Sequence, residues 1–254
     1  MLIHSIKLNN FLSFGNASET IPLGALNLLI GPNGSGKSNL LEAFDLLSHT
    51  PEQLPGFIRQ GGGVLDWLWK GSADLSTASL EVVVDNPRGS MPIRYGLAFT
   101  AVGQRFELTD EFLENAEAYD GYDEPYFFYC FDWRGRPALN VRGDKRSLSR
   151  EDIALDQSIL AQRRDPDQYP EITYLARVFG DISLYREWQF GRHTPSRQPQ
   201  MADLPNHALS ADGANLGLVL NRLRRFSGSE DAFAGCPADA LRGHRRLRCT
   251  DRRR

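Results

Sequence analysis

Eight consecutive residues, Gly31-Pro32-Asn33-Gly34-Ser35-Gly36-Lys37-Ser38, fill the pattern GxxxxGK[ST] without a mismatch. Each residue type in it has a chemical reason to be there. The glycines let the backbone curl so that successive N–H groups face inward at phosphate oxygens. A helix starting near Gly36 brings its positive dipole end to the same point. Lys37 is long enough to reach the β- and γ-phosphates of a nucleotide, and Ser38 offers a small oxygen ligand to Mg²⁺. With Asn39 the stretch Gly31 to Asn39 forms the candidate nucleotide-binding set.

Two elements must hold such a loop. Before it, Leu26, Leu28, Leu29 and Ile30 make a short, nearly continuous apolar run, the pattern of a buried parallel strand. After it, Leu40, Leu41, Phe44 and Leu47 fall on one helical face between Lys37 and about Ser48. Thr50-Pro51 is expected to end that helix, because the residue before proline avoids the α region. Upstream, Leu2 to Phe11 alternates and reads as a half-buried edge strand. Residues 51 to 75 read as a loop with one short helical turn.

From Ser79 to Val141 the texture changes to strand and turn: SLEVVVD, PIRYGLAFTAV, QRFEL, YFFYCFDW and PALNVR. This predicts an antiparallel β-rich block of about 60 residues. Helical spacing returns in LSREDIALDQSILAQRR, with Ser147 or Ser149 as cap and Ile153, Leu155, Ile159 and Leu160 as the apolar face. A helix over Tyr169 to Phe179, a strand in DISLYREWQF, a loop from Arg192 to Pro205 and a helix over ANLGLVLNRLRRF follow, the last with Leu216, Leu220 and Leu223 on one face.

Composition excludes some classes. The 254 residues are 41% apolar and 24% charged, with a net charge of −3, as in an ordinary globular protein. Cys130, Cys236 and Cys249 are too few and scattered for a disulfide framework or zinc site, and the five histidines show no ligand spacing. MLIHSIKLNNFLSF is not a signal peptide, and no apolar run reaches the ~20 residues of a membrane span. A cytoplasmic protein without a membrane partner is the expectation.

Around the loop, IHSIKLNNFLSFGN and LNLLIGPNGSGKSNLLEAF resemble the N-terminal half of the ATP-binding cassette ATPases of the SMC and RecF type. DQSILAQRRDPDQYPEITYL, LYREWQFGR and DGANLGLVLNRL resemble the AAA-type RecF-like ATPases of bacteria, including those of phage defence. The resemblance covers about residues 1 to 227. It implies ATP and Mg²⁺ as cofactors, Gly31 to Ser38 on the phosphates, and Asn10 to Phe14 near the adenine. It also implies a water- and Mg²⁺-orienting glutamine in QSILAQ, with Gln162 first and Gln157 second, so that Lys37 and Gln162 are the candidate catalytic residues and Ser38 and Gln162 the candidate metal ligands. The implied partners are a second copy, in a homodimer or head-to-tail dimer, together with DNA and a partner effector protein.

Hydrolysis in that family also needs a signature loop, an apolar strand ending in Asp-Glu, and a switch histidine. VVVD (Val82 to Asp85) and FFYCFD (Phe127 to Asp132) imitate the strand, but no Glu follows either Asp, and both read as strands of the β-rich block. ALSADGAN (Ala208 to Asn215) lacks the second glycine and the glutamine of a signature, and Asp212 there reads as a helix cap. After Ser227 the pattern ends, and seven of the last thirteen residues are arginine. Residues 228–254 read as an irregular tail, out of frame or left by truncation, with a basic phosphate-binding arm as the other reading.

The expected fold is therefore α/β: a P-loop NTPase, the N-terminal lobe of a cassette ATPase spanning residues 1–227, with an antiparallel β-rich subdomain and a sheet incomplete at its C-terminus. The expected function is ATP-Mg binding without the hydrolytic residues. The lineage activity is ATP hydrolysis coupled to DNA repair, chromosome handling or phage defence. The rivals are a non-hydrolysing regulatory module and a transporter's nucleotide-binding subunit. A kinase or GTPase is disfavoured, since no NKxD is present.

Overall fold

The alternation of Ile6 and Leu8 with polar neighbours makes the first segment a strand, β1 (Ile3–Asn9), whose two apolar side chains are buried. In a computed structural model, which describes residues 3–71, 77–132, 137–141, 144–147, 153–186 and 191–226, β1 is not an edge. It pairs with the two-residue β2 (Ile21–Pro22) on one side and along its length with β3 (Ala78–Val84) on the other. β4 (Ile93–Val102), β5 (Arg105–Asn115), β6 (Phe127–Asp132), β7 (Ala138–Val141) and β8 (Asp144–Ser147) extend the sheet. The order is β2-β1-β3-β4-β5-β6-β7-β8, eight strands with every neighbour antiparallel. The β-rich block predicted from the sequence is thus present, but it is continuous with β1 rather than a separate subdomain.

One face of this sheet is buried, as antiparallel sheets allow. Leu80 and Val82 of β3, Tyr95 and Phe99 of β4, Leu113 of β5 and Tyr129 and Phe131 of β6 all lie in the core. The helices supply its other side. Tyr95 meets Phe179 edge-on at 5.4 Å, and Phe11 meets both Trp67 and Phe99. On the opposite face Arg94 pairs with Glu114 and stacks over Phe112 at 5.3 Å. That face is the wetter one.

Helix α1 (Lys37–His49) buries Leu40, Ala43, Leu46 and Leu47. It ends where the sequence said, but for another reason. Thr50 keeps helical angles (φ −60°, ψ −34°), its N–H turning to the Leu47 carbonyl. Pro51 ends the helix because it has no N–H to donate. Residues 51–75 were expected to hold one helical turn. They contain two, α2 (Leu54–Gln60) and α3 (Val64–Trp67), with Trp67 buried against Phe57 and Phe11.

Three expectations fail. Residues 26–30 form no strand and are not buried: Leu26 is 93%, Leu28 81% and Ile30 83% exposed. The backbone N–H and C=O groups of residues 25–30 have no hydrogen-bond partner among the described residues. An apolar run becomes a buried strand of a sheet interior only where neighbours pair its edges, and no described strand pairs with this one. Among the described residues of 147–164 one helical turn forms, α4 (Ile159–Gln162), capped by Ser158. Ser147 instead ends β8, and Ser149 lies outside the described residues. DISLYREWQF has no regular structure over 182–186, and 187–190 lie outside the described residues.

The predicted helix near 169–179 is present as α5 (Pro170–Gly180), which buries Ile172, Leu175, Val178 and Phe179. Contacts divide the chain into two units, residues 1–184 and 185–254. The second contains α6 (Leu216–Phe226), of which Leu220 and Leu223 are exposed rather than packed. Its described part is centred on the buried Asn215. The Asn215 Nδ2 donates to the Pro205 and Ala208 carbonyls, and its Oδ1 accepts from Ser210 N–H at 2.8 Å. The helix expected from Ala214 starts at Leu216, so Asp212 does not cap it: its carboxylate accepts from Ala214 N–H in the turn before α6, and that bond holds the carboxyl below the usual range. The tail 228–254 lies outside the described residues, and no described helix is long and apolar enough to cross a membrane.

The exposed leucines give a direct prediction. Leu26→Asp with Leu28→Asp is expected to lower binding of an apolar dye such as ANS and to suppress concentration-dependent light scattering. The melting temperature should hold, because surface substitutions that remove no packing change stability by about 0.5 kcal/mol or less. Unchanged dye binding with a lower melting temperature would mean that these leucines are covered.

Candidate nucleotide-binding site

The GxxxxGK[ST] stretch forms an exposed loop that runs straight into α1. Gly34 and Gly36 sit at φ +82° and +88°, a left-handed conformation that favours glycine. Gly36 is also the N-cap of α1, and a Cβ there would stand 3.2 Å from Ser13 Oγ and 3.6 Å from the Phe14 ring. Any larger residue at Gly36 would thus be strained and crowded.

Three features of the loop suit a polyphosphate. The first-turn N–H groups of α1 have no intrahelical acceptor, and no side chain caps them. There is no acidic residue in that turn, so the positive end of the helix is not neutralised. Lys37 folds back over the loop, its Nζ donating to the carbonyls of Gly31 and Pro32, both at 2.7 Å, and to Ser35 Oγ at 3.2 Å. The ammonium is thus held above the loop by oxygens that phosphate oxygens could replace. Ser38 is exposed in the first turn beside it. The residues from Gly31 to Asn39 therefore fit Mg²⁺-ATP: backbone N–H groups and Lys37 on the phosphates, and the Ser38 hydroxyl on the metal.

Of the segment Asn10 to Phe14, Ser13 and Phe14 lie against the loop, at Gly36. Asn39 Nδ2 donates to Ser13 Oγ at 2.7 Å. Sequence reasoning missed this bond, since residues 26 apart carry no local signal for it.

Gln162 and Gln157 are placed differently. Gln162 Nε2 donates to the carbonyls of Ala154 (3.1 Å) and Gln157 (2.7 Å), while its Oε1 accepts from Ala154 N–H at 2.9 Å. Its amide is engaged as the clasp of the 154–157 turn. Arg164, two residues on, donates to the carbonyl of Pro51, just past the C-terminal end of α1. That end lies ~20 Å along the helix from Lys37. Of the two stretches that imitate the missing acidic motif, Val82 to Val84 lie in β3 with Asp85 just past its end, and FFYCFD is β6 of the antiparallel sheet. Asp85 is paired with His4 at 2.6 Å.

A second polar cluster went unread in the sequence. Glu111 of β5 is 1% exposed, and its Oε1 accepts from the hydroxyls of Tyr95 (2.8 Å) and Ser158. Its Oε2 accepts from Ile159 N–H at 2.9 Å, so the carboxyl holds the start of α4. Burial pushes its pKa up to about 7 in spite of the three donors. Burial also raises the Tyr129 hydroxyl, which has no hydrogen-bond partner among the described residues.

Comparison with known proteins accords with the loop. Residues 1–164 match the family described as the AAA ATPase domain. The chromosome partition protein Smc of Mycolicibacterium paratuberculosis is 31% identical over 98 residues, 37% of this chain and 8% of that protein. The DNA replication and repair protein RecF of Limosilactobacillus fermentum is 23% identical over 231 residues, 90% of this chain and 51% of that protein. The chain thus spans about half the length of the RecF relative and a small part of Smc. A solved structure from work on ATP-driven dimerization and DNA-stimulated activation of SMC ATPases aligns over 46% of this chain and 72% of its own, at 21% identity and a TM-score of 0.36. On the match of most of its length, the chain belongs to the AAA ATPase domain family, and it is similar in sequence to Smc and RecF proteins.

Proposed function

We propose that this chain binds ATP with Mg²⁺ in the loop Gly31 to Asn39 and that the nucleotide serves a dimer cycle acting on DNA. The observation that carries the reading is the convergence of Lys37 and the uncapped, unneutralised N-terminus of α1 on one exposed glycine loop. Lys37 would turn from the Gly31 and Pro32 carbonyls to the β- and γ-phosphates, and Ser38 would complete the Mg²⁺ shell. A second ATPase subunit, DNA and an effector protein are the partners implied, in keeping with relatives named for chromosome partition and for DNA replication and repair. The cytoplasm is the compartment.

A narrower reading, binding without turnover, is favoured by one feature of the 254 residues. They contain no apolar strand followed by Asp-Glu to orient the attacking water. Gln162, proposed from the resemblance as a catalytic and Mg²⁺-binding residue, would have to leave the Ala154 and Gln157 backbone to act.

Phosphate release by purified protein, with Lys37→Ala alongside, separates the two readings. The expected result is binding of a fluorescent ATP analogue with phosphate release at the Lys37→Ala background. Turnover that disappears in Lys37→Ala would place the water-activating groups within these residues.

A further inference from the structure

The turn before the loop is held in an unfavourable conformation at several anchor points. Asn10 and Leu12 both lie at φ +50°, a region that residues with a Cβ seldom occupy. Trp69 N–H donates to the Asn10 carbonyl at 2.8 Å, and Leu12 N–H to the Trp67 carbonyl at 2.9 Å. The Asn10 side chain donates to the Thr77 carbonyl, and Phe11 is fully buried between Trp67 and Phe99. Strain of this kind persists only where the surroundings over-determine it, and it marks a place where a side chain is being aimed.

The side chain presented is Ser13. Its Oγ accepts the Asn39 amide at 2.7 Å and stands 3.2 Å from the Cβ position of Gly36, with Phe14 packed beside it. Gly36 and Asn39 bracket the first turn of α1, whose first hydrogen-bonded amide is Leu40, donating to the Gly36 carbonyl at 2.9 Å. No side chain caps that helix start from within its own loop. Without an outside contact the first turn would fray, and the N–H groups of residues 36–39 would lose their common direction.

We propose that Ser13 is a positioning residue for the phosphate loop: by bonding Asn39 and packing on Gly36, the strained 10–14 turn clamps the first turn of α1 and pre-orients the N–H groups that receive phosphate. The inference rests on nucleotide binding by that loop, and the role it gives Ser13 is exerted through Asn39 and Gly36. Preorganisation of this sort raises affinity by removing the ordering cost from the binding step.

The test is a double-mutant cycle on a fluorescent ATP analogue with Ser13→Ala, Asn39→Ala and the pair, with Ser13→Thr as the rescue that restores a hydroxyl. Hydrogen exchange at Leu40 to Glu42 without added nucleotide runs alongside. Ser13→Ala is expected to weaken binding about fivefold to tenfold, the range for loss of one hydrogen bond. The double variant should bind no worse than Asn39→Ala alone, Ser13→Thr should recover most of the affinity, and the melting temperature of Ser13→Ala should fall by no more than about 4 °C. Exchange at Leu40 to Glu42 should be faster in Ser13→Ala and slow again in Ser13→Thr. Wild-type affinity and exchange in Ser13→Ala, multiplying effects in the double variant, or a Ser13→Thr that behaves like Ser13→Ala would each overturn the clamp. Should the wild type take no nucleotide while Ser13→Ala still speeds exchange, the functional reading fails and the clamp stands.

Discussion

Lys37→Ala is expected to raise the Kd of the chain for ATP at least about a hundredfold, which in practice removes measurable binding. The magnitude follows from what the ammonium does. A charge-assisted hydrogen bond contributes about 1.5–3 kcal/mol, and the lysine can make one to each of two phosphates. Loss of both is roughly 3–6 kcal/mol, and every 1.4 kcal/mol is tenfold in Kd.

Against this stands the lysine's present role, since it already satisfies its donors on Gly31, Pro32 and Ser35. Those bonds are to neutral oxygens on a loop open to water, so exchanging them for charged phosphate oxygens is still favourable. Equilibrium titration with a fluorescent ATP analogue at two salt concentrations checks it. The wild-type affinity should fall with salt, and whatever binding Lys37→Ala retains should fall less, because it has one cation fewer to screen. An affinity in Lys37→Ala within threefold of wild type would place the nucleotide elsewhere than this loop.

How much of this was legible beforehand depended on how local each signal is. The exposed glycine loop ahead of α1 needs only residues 31 to 39 and their spacing, so the sequence displayed it whole. The β-rich block was legible through alternation and turns. The run LNLLI was read correctly for its apolar character and wrongly for its burial, because burial is a property of neighbours and no strand pairs with residues 26–30. The helix expected over 147–164 had the right spacing, but β8 takes Ser147 and the Glu111 carboxyl fixes the helix start at Ser158.

Glu111 itself was hidden by a bulge. Phe99 pairs with Leu108 and Ala98 with Asp110, so Thr109 is the extra residue that flips the register of β5. Phe106 and Leu108 face the core before it, and Glu111 and Leu113 face the core after it. A strict period of two would have put Glu111 in water.

That buried carboxyl sets the second large effect, a stability that falls as pH rises. In the unfolded chain Glu111 loses its proton near 4.5, and in the fold burial holds it to about 7. Between those values the folded state binds the proton that the unfolded state has released. Its contribution is therefore fully present below pH 4.5, declines through the window, and is gone above pH 7. The whole change is roughly 3 kcal/mol.

The geometry accommodates the neutral acid, since its O–H can donate to the Tyr95 or Ser158 hydroxyl while the other oxygen accepts from Ile159 N–H. A glutamine fits the same way, with its NH₂ toward the two hydroxyls. Glu111→Gln should accordingly cost about 1 kcal/mol at pH 5 and become equal to or more stable than wild type at pH 8. Glu111→Ala should cost about 3 kcal/mol or more at pH 5, because it strands a buried N–H and leaves a cavity. Urea denaturation of the three proteins from pH 4.5 to 8, followed by tryptophan fluorescence, reads both effects. Every other ionisable group is common to wild type and Glu111→Gln, so the difference between those two isolates this one carboxyl. Parallel pH slopes in those two proteins would show that Glu111 is ionised throughout, held as an anion by its three donors in spite of burial.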